Sequence, residues 1–250
     1  MPIASTDLIL YAAANTPEND TVTAGGAIDA LRRLDFTQIA ANDDIEALSD
    51  SAADTMNATL TGRNAAGAIV SETKALTGIT AIIFSTAGIL ERVLKFELAS
   101  APAGNITVRR SVAGATVRVV PIGERGFEIF FYDSASESAG TTRYQKGFYK
   151  NAHGSLTLNN AAVRISADPL AIMGFTLASS KNDAATSANR KTQPAVGDTD
   201  PDTFDDTSKT VPAGTLEAAS AIGVWVQMTL AADDTPKKST FTLELSGTSV

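Results

Sequence analysis

The densest run of chemistry-bearing side chains is Asp198-Thr199-Asp200-Pro201-Asp202-Thr203-Phe204-Asp205-Asp206. Carboxylates at alternate positions can converge on a hard cation such as calcium, which takes roughly six to eight oxygen ligands. Asp198, Asp200, Asp202 and Asp206 are the four candidates for such a site. The run departs from an EF-hand loop, which wants glycine at its sixth position and a bidentate Glu at its twelfth. This chain has Thr203 and Lys209 there. The run therefore reads as a solvated acidic loop, with calcium as the alternative, and no other cofactor is expected.

The remaining inventory for catalysis is thin. His153 is the single histidine, set in the turn Lys150-Asn151-Ala152-His153-Gly154, and the chain has no cysteine. A catalytic dyad needs a second group to position or deprotonate the first, and a thiol nucleophile or cysteine-bearing zinc site is excluded outright. There is no Gly-x-Ser-x-Gly elbow, Walker loop or Gly-x-Gly-x-x-Gly fingerprint. A glycosidase carboxylate pair has room to hide among 28 acidic residues, but sugar sites use aromatic platforms, and aromatics make up 6% of the chain. The chain is read as a non-enzyme, with no catalytic residue assigned.

Side chains suited to contact are easier to find. Trp225 is the only tryptophan, and its large apolar area favours burial or an interface over a sugar platform. Leu8, Leu10, Tyr11 and Phe204 join it as interface candidates. The doublets Arg32-Arg33, Arg109-Arg110 and Arg190-Lys191 stand in an acidic chain. Neighbouring strand residues point to opposite faces, so these are read as balancing local carboxylates. Asp43-Asp44, Asp233-Asp234 and Glu217 read as turn residues.

A formal charge of -8 and a pI near 4.7 oppose attraction to phosphate, so neither nucleic acid nor an anionic membrane surface is expected as a partner. The longest apolar stretches, such as Gly78 to Phe84, fall far short of the roughly 20 residues that span a bilayer. The segment MPIASTDLILYAAANTPEND carries no basic residue before its apolar run, so it is read as part of the mature chain.

The elements that must position these groups are strands. Apolar and polar residues alternate through Leu94-Lys95-Phe96-Glu97-Leu98 and again through Ile222 to Leu230 and Phe241 to Leu245. Period two marks a half-buried strand, and the last two runs read as a closing hairpin. Further runs lie at Ala58–Thr61, Ala68–Leu76, Ala81–Phe84, Ile106–Arg110, Thr116–Pro121, Phe127–Tyr132, Tyr144–Tyr149, Ser155–Leu158, Ala161–Ser166 and Ile172–Leu177. Asn64-Ala65-Ala66-Gly67 is a four-residue hairpin link. The segment GGAIDALRR fits either a short helix or a strand and is read as a strand like its neighbours.

The expected fold is all-β, with two β-sandwich units of jelly-roll or Ig-like type. Residues 1–20 form an N-terminal arm, 21–132 the first unit, 133–142 a linker or exposed loop, and 143–250 the second unit with a long loop at 178–209. The arm and that loop are poor in core signals, which marks them as contact segments.

Several phrases resemble β-rich structural proteins of tailed bacteriophages: GRNAAGAIVSE from Gly62, LERVLK from Leu90, TRYQK from Thr142, AIGVWV from Ala221 and STFTL from Ser239. The similarity runs from about Asp20 onward, and its phrases are strands and turns with no catalytic fingerprint. The resemblance implies a virion component, most directly a capsid decoration or cement protein that binds the major capsid protein, other virion proteins and copies of itself as a homo-oligomer. A neck or tail protein, or a carbohydrate-binding adhesin module, is the alternative.

Overall fold

The computed structural model describes residues 2–195, 203–235 and 239–249. The chain is all-β and folds as two compact units. Unit 1 comprises Met1–Asp29 and Asp133–Val250, and unit 2 comprises Ala30–Tyr132.

The first passage through unit 1 contributes β1 (Leu8–Asn15) and the start of β2 (Ala24–Arg33). Unit 2 then adds β3 (Ile45–Ser49), β4 (Asn57–Asn64), β5 (Ile69–Ala75), β6 (Ile82–Ile83), β7 (Leu90–Leu98), β8 (Ile106–Arg110), β9 (Thr116–Val120) and β10 (Gly126–Glu128). The return to unit 1 supplies β11 (Thr141–Asn151), β12 (Leu158–Ala167), β13 (Met173–Lys181), β14 (Thr186–Ser187), β15 (Lys209–Thr210), β16 (Thr215–Leu216), β17 (Ala221–Leu230) and β18 (Thr242–Ser249).

In unit 2 two sheets enclose one core. The first runs from the end of β2 through β10, β7 and β4 to β5, and the second has the order β6-β3-β8-β9. Leu60, Phe96, Leu98 and Phe127 from the first meet Ile45, Ala47, Ile106, Val108 and Val120 from the second in a single buried cluster. Phe96 and Phe127 stack with centroids 5.8 Å apart. The Asn64–Gly67 link joins β4 to β5 as the sequence predicts, with Gly67 at φ +82°. In β7 strict alternation breaks. Thr61 pairs with Lys95 and Gly62 with Val93, so Leu94 is the extra residue of a bulge, and Val93 and Leu94 are both buried.

In unit 1 the order is β13-β17-β11-β1 and the first part of β2, with β14 on β2 at Gly25 and Ala24. A second sheet has β12 at its centre, with β15 and β16 along its path and β18 also paired to it.

Several expectations are corrected. The run Ala221–Leu230 and the run Thr242–Ser249 do not form a hairpin: β17 pairs with β11 and β13, whereas β18 pairs with β12. Period two reports a buried face without naming the neighbouring strand, and here the link crosses between sheets. Residues 1–20 are not an arm, since Leu8–Ala12 pair with Gly147–Asn151 and Ile9, Tyr11, Ala12 and Ala13 are buried. The units also divide differently from 21–132 and 143–250, because unit 1 takes both ends of the chain and unit 2 is inserted between Asp29 and Asp133. Nor are the 133–142 linker and the 178–209 loop plain excursions. The Asp133 and Ala135 carbonyls accept from Arg190 and Arg143, and Phe175 N–H donates to Asp205 O at 2.9 Å.

Candidate functional site

The predicted contact residues divide by burial. Trp225 is 0% exposed, which takes the burial arm of its reading and removes it from the interface candidates, and Tyr11 is corrected from an interface candidate to a core group of unit 1. Trp225 could not have been placed by alternation, because Ala221 to Val226 are all buried and β17 is covered on both faces. Its indole lies under Gly25, where a Cβ would come within 2.5 Å of Cη2. Phe204 is half-buried and packs edge-on against Tyr144 at 5.0 Å, in one cluster with Trp225 and Ala24. Leu8 and Leu10 are half-buried in β1. Tyr144 and Tyr149 are buried, so neither is displayed as a sugar platform would be.

Of the calcium candidates, Asp198, Asp200 and Asp202 lie outside the described residues. Asp206 lines a shallow cleft with Asp168 and Asp205. Asp168 already accepts from Met173 N–H at 2.7 Å, and Asp205 accepts from Thr207 and from Lys209 at 2.9 Å. Among the described residues no group of three or more His, Asp or Glu side chains is placed to hold a metal ion, and no helix is long and apolar enough to cross a membrane. His153 is a turn residue whose Nδ1 accepts from Ser155 and Leu156 N–H at 3.2 and 3.0 Å.

Inside unit 1, charged side chains tie the chain to itself. Arg143 on β11 donates to Asp20 and to Glu137, at 3.1 Å each, and to Ala135 O at 2.8 Å. Arg190 donates to Asp20, Glu18, Ser134 and Asp133 O. Burial opposes ionisation of Asp20, yet the two guanidiniums outweigh it and hold its carboxyl well below the usual range. Glu18 goes the other way: its deeper burial raises it despite bonds from Gln145 and Arg190. The sequence signal for this clasp is Arg190-Lys191 together with Glu18-x-Asp20, where Arg190 stands 170 residues from Asp20 and 172 from Glu18.

The most site-like surface is the outer face of β6-β3-β8-β9 in unit 2. Glu46 stands opposite Ile83 on one side and Arg109 on the other, while Leu48 faces Thr107, which in turn faces Val119. Alternation puts these six side chains on the face away from the core, since Ala47 and Val108 belong to the buried cluster. Ile83 and Val119 are exposed, and Leu48 is half-buried. At the centre Arg109 Nε lies 2.6 Å from Glu46 Oε1, which removes a net charge from the middle of the face.

Glu46 also shapes the rim. Its carboxylate accepts from Val112 N–H at 3.2 Å and Ala113 N–H at 3.1 Å, both in the turn between β8 and β9. Val112 and Ala113 each take positive φ, 56° and 55°, which costs any residue but glycine and most of all a β-branched one such as Val112. Arg110 and Ser111 bond Asp43 at 2.8 and 3.0 Å beside them. The turn is thus pinned from below, and Val112 stands 88% exposed on it. Ile122, just past β9, is 62% exposed.

Sequence reasoning missed this face. Ile45-Glu46-Ala47-Leu48 alternates and reads as a strand, and a valine inside the turn Ser111-Val112-Ala113-Gly114 is out of place unless it is displayed. The basic doublets, by contrast, do pair locally: Arg109 with Glu46, Arg110 with Asp43, Arg32 with Glu128 and Arg33 with Glu124. Comparison of the chain with protein-family models, with curated proteins and with solved structures finds no match.

Proposed function

We propose that this chain is a structural protein of a tailed-phage particle, acting as a decoration or cement protein that stabilises the capsid by stoichiometric contact. The observation that carries the reading is the outer face of β6-β3-β8-β9, where Ile83, Val119 and Val112 are displayed around an internally neutralised Glu46–Arg109 pair. Exposed aliphatic side chains held on a rigid sheet and a pinned turn are a means of burying area against a partner without ordering it first. Among the described residues, seven of the eight exposed large hydrophobics, all but Val22, fall in unit 2 (Leu31, Ile79, Ile83, Ile89, Val112, Val119 and Ile122). The phrase-level resemblance to phage structural proteins supports the particle reading, and the exposed aliphatic face supports contact as the mode of action. Bound at subunit seams, such a protein raises the free energy of rupture by the binding energy that rupture would forfeit.

The test is reconstitution. Particles lacking the chain are mixed with the purified protein, and bound copies, location and thermal rupture are measured. Saturation at hundreds of copies on the shell with a raised rupture temperature supports the decoration role. About a dozen copies at the neck or tail would replace it with the neck or tail reading. Absence of the chain from purified particles would defeat the virion assignment altogether.

A further inference from the structure

Every long sheet edge in the described residues is guarded except one. β5 carries Glu72 and Lys74, with Glu72 buried and accepting from Ala87 N–H at 2.8 Å, so another strand would meet inward-held charge. β9 is covered by the segment before β3, since Thr37 N–H donates to Val117 O at 3.0 Å and Arg118 pairs with Asp35 at 2.8 Å. β13 is blocked by Asp205, bridged to Phe175, and by Phe204, whose backbone lies within 2.9 Å of where a Gly174 Cβ would sit. β18 is different. It pairs with β12 over Thr242 to Ser249, and its other edge has no partner among the described residues.

The sequence of that strand, TLELSGTS, contains no proline and no lysine. Its one charge, Glu244, is already paired with Arg164 at 2.8 Å. Ser246, Gly247 and Thr248 are small and exposed, so a neighbouring backbone can approach. An eight-residue row of alternating unpaired N–H and C=O groups is a template for strand addition.

We propose that β18 pairs antiparallel with β18 of a second copy, joining the two β12-centred sheets across a two-fold axis. The occupant is a second copy because antiparallel addition of identical strands is self-complementary and closes on itself. Centring the pairing on Leu245 sets Glu244 against Ser246, and centring it on Ser246 sets Glu244 against Thr248. Neither register opposes the two glutamates. A register centred on Glu244 would place like charges face to face, which disfavours it. This inference is independent of the particle assignment, and its readout is the free protein.

The experiment is sedimentation velocity of the full chain from about 1 to 100 µM, with amide exchange at both ends of the range. The expected result is a concentration-dependent monomer–dimer equilibrium, with slower exchange across 242–249 in the dimer. Ser246→Glu combined with Thr248→Glu sets a carboxylate against Glu244 in either register and should weaken association at least about tenfold. A single monomeric species throughout overturns the proposal. So does a dimer in which exchange across 242–249 is unchanged, a readout that needs no variant and therefore holds even where the glutamate substitutions perturb folding.

Discussion

Lys146, fully enclosed on β11, holds its ammonium 2.8 Å from Asp183 Oδ2, with the Phe148 ring 4.7 Å and the Trp225 ring 5.4 Å from the same nitrogen. Its other two donors reach Gly26 O at 3.1 Å and Ala185 O at 3.2 Å. Burial pulls the lysine below its usual range, and Asp183 opposes that pull. One cation thus ties β11 to the Gly25–Gly26 stretch of β2 and to the segment after β13.

Asp183→Ala leaves this ammonium without its counter-charge in an apolar setting and should cost about 3 kcal/mol or more, read as a lower urea midpoint. Lys146→Met should cost less, because Asp183 keeps the Ala185 N–H at 3.0 Å and the methionine fills the space between the rings. Equal losses in the two variants would contradict the asymmetry.

Two glycines separate space from backbone strain. Gly25 has φ +89°, and a Cβ there would meet Trp225 at 2.5 Å and Ala185 O at 2.9 Å, so Gly25→Ala should destabilise by about 3 kcal/mol or more. Gly67 has φ +82° with nothing within 4 Å, so Gly67→Ala should lose only about 1 kcal/mol. Thermal unfolding of both variants checks the ranking.

Acid should unfold unit 1 through its paired carboxylates. The Lys181 ammonium, followed by Thr215, holds the Glu217 carboxyl down to about 2 from an ordinary 4.5. A depressed carboxyl contributes stability present above its unfolded value and lost as pH falls through its folded value, here between about 4.5 and 2. Asp20 acts in the same sense. Glu18, raised by burial, has the opposite sign and weakens folding as pH climbs past its unfolded value. Glu217→Gln should therefore flatten the fall in stability across that window, measured by denaturant titrations at several pH values. An unchanged slope would show that the exposed Lys181–Glu217 pair carries no such coupling.

Val112→Ser removes apolar area that is already in water and should leave the melting temperature nearly unchanged, within about 0.5 kcal/mol, whereas Ile83, 40% exposed, should lose about 1 kcal/mol as serine. Under the proposed role both should weaken binding to particles lacking the chain. Glu46→Gln provides the contrast, since it releases Arg109 and the Val112 turn together and should affect stability and binding alike.

Strand identity was legible along most of the chain. The run Leu94–Leu98 falls within β7 and the run Ile106–Arg110 coincides with β8, and the Asn64–Gly67 link joins the strands it was read to join. These are local properties, set by side-chain period and by the positive φ that glycine tolerates. The division into units was not legible. Unit 1 is assembled from both ends of the chain, and nothing in residues 1–29 states that their neighbours begin at Asp133.

The sequence by itself determined that this chain is built of strands, that it has no thiol chemistry and one histidine, and that its basic doublets stand among acids able to neutralise them. Only the tertiary structure decided which strand lies beside which, and with it the fate of single residues. Trp225 looked like a side chain for a partner and is enclosed, because β17 has a neighbour on each edge and cover on each face. Val112 lies in a turn and is displayed, because Glu46 from another strand reaches up to hold that turn open to water. Periodicity records that a face is buried. Which face meets solvent depends on contacts between residues far apart in the chain, and those form only when the sheets close.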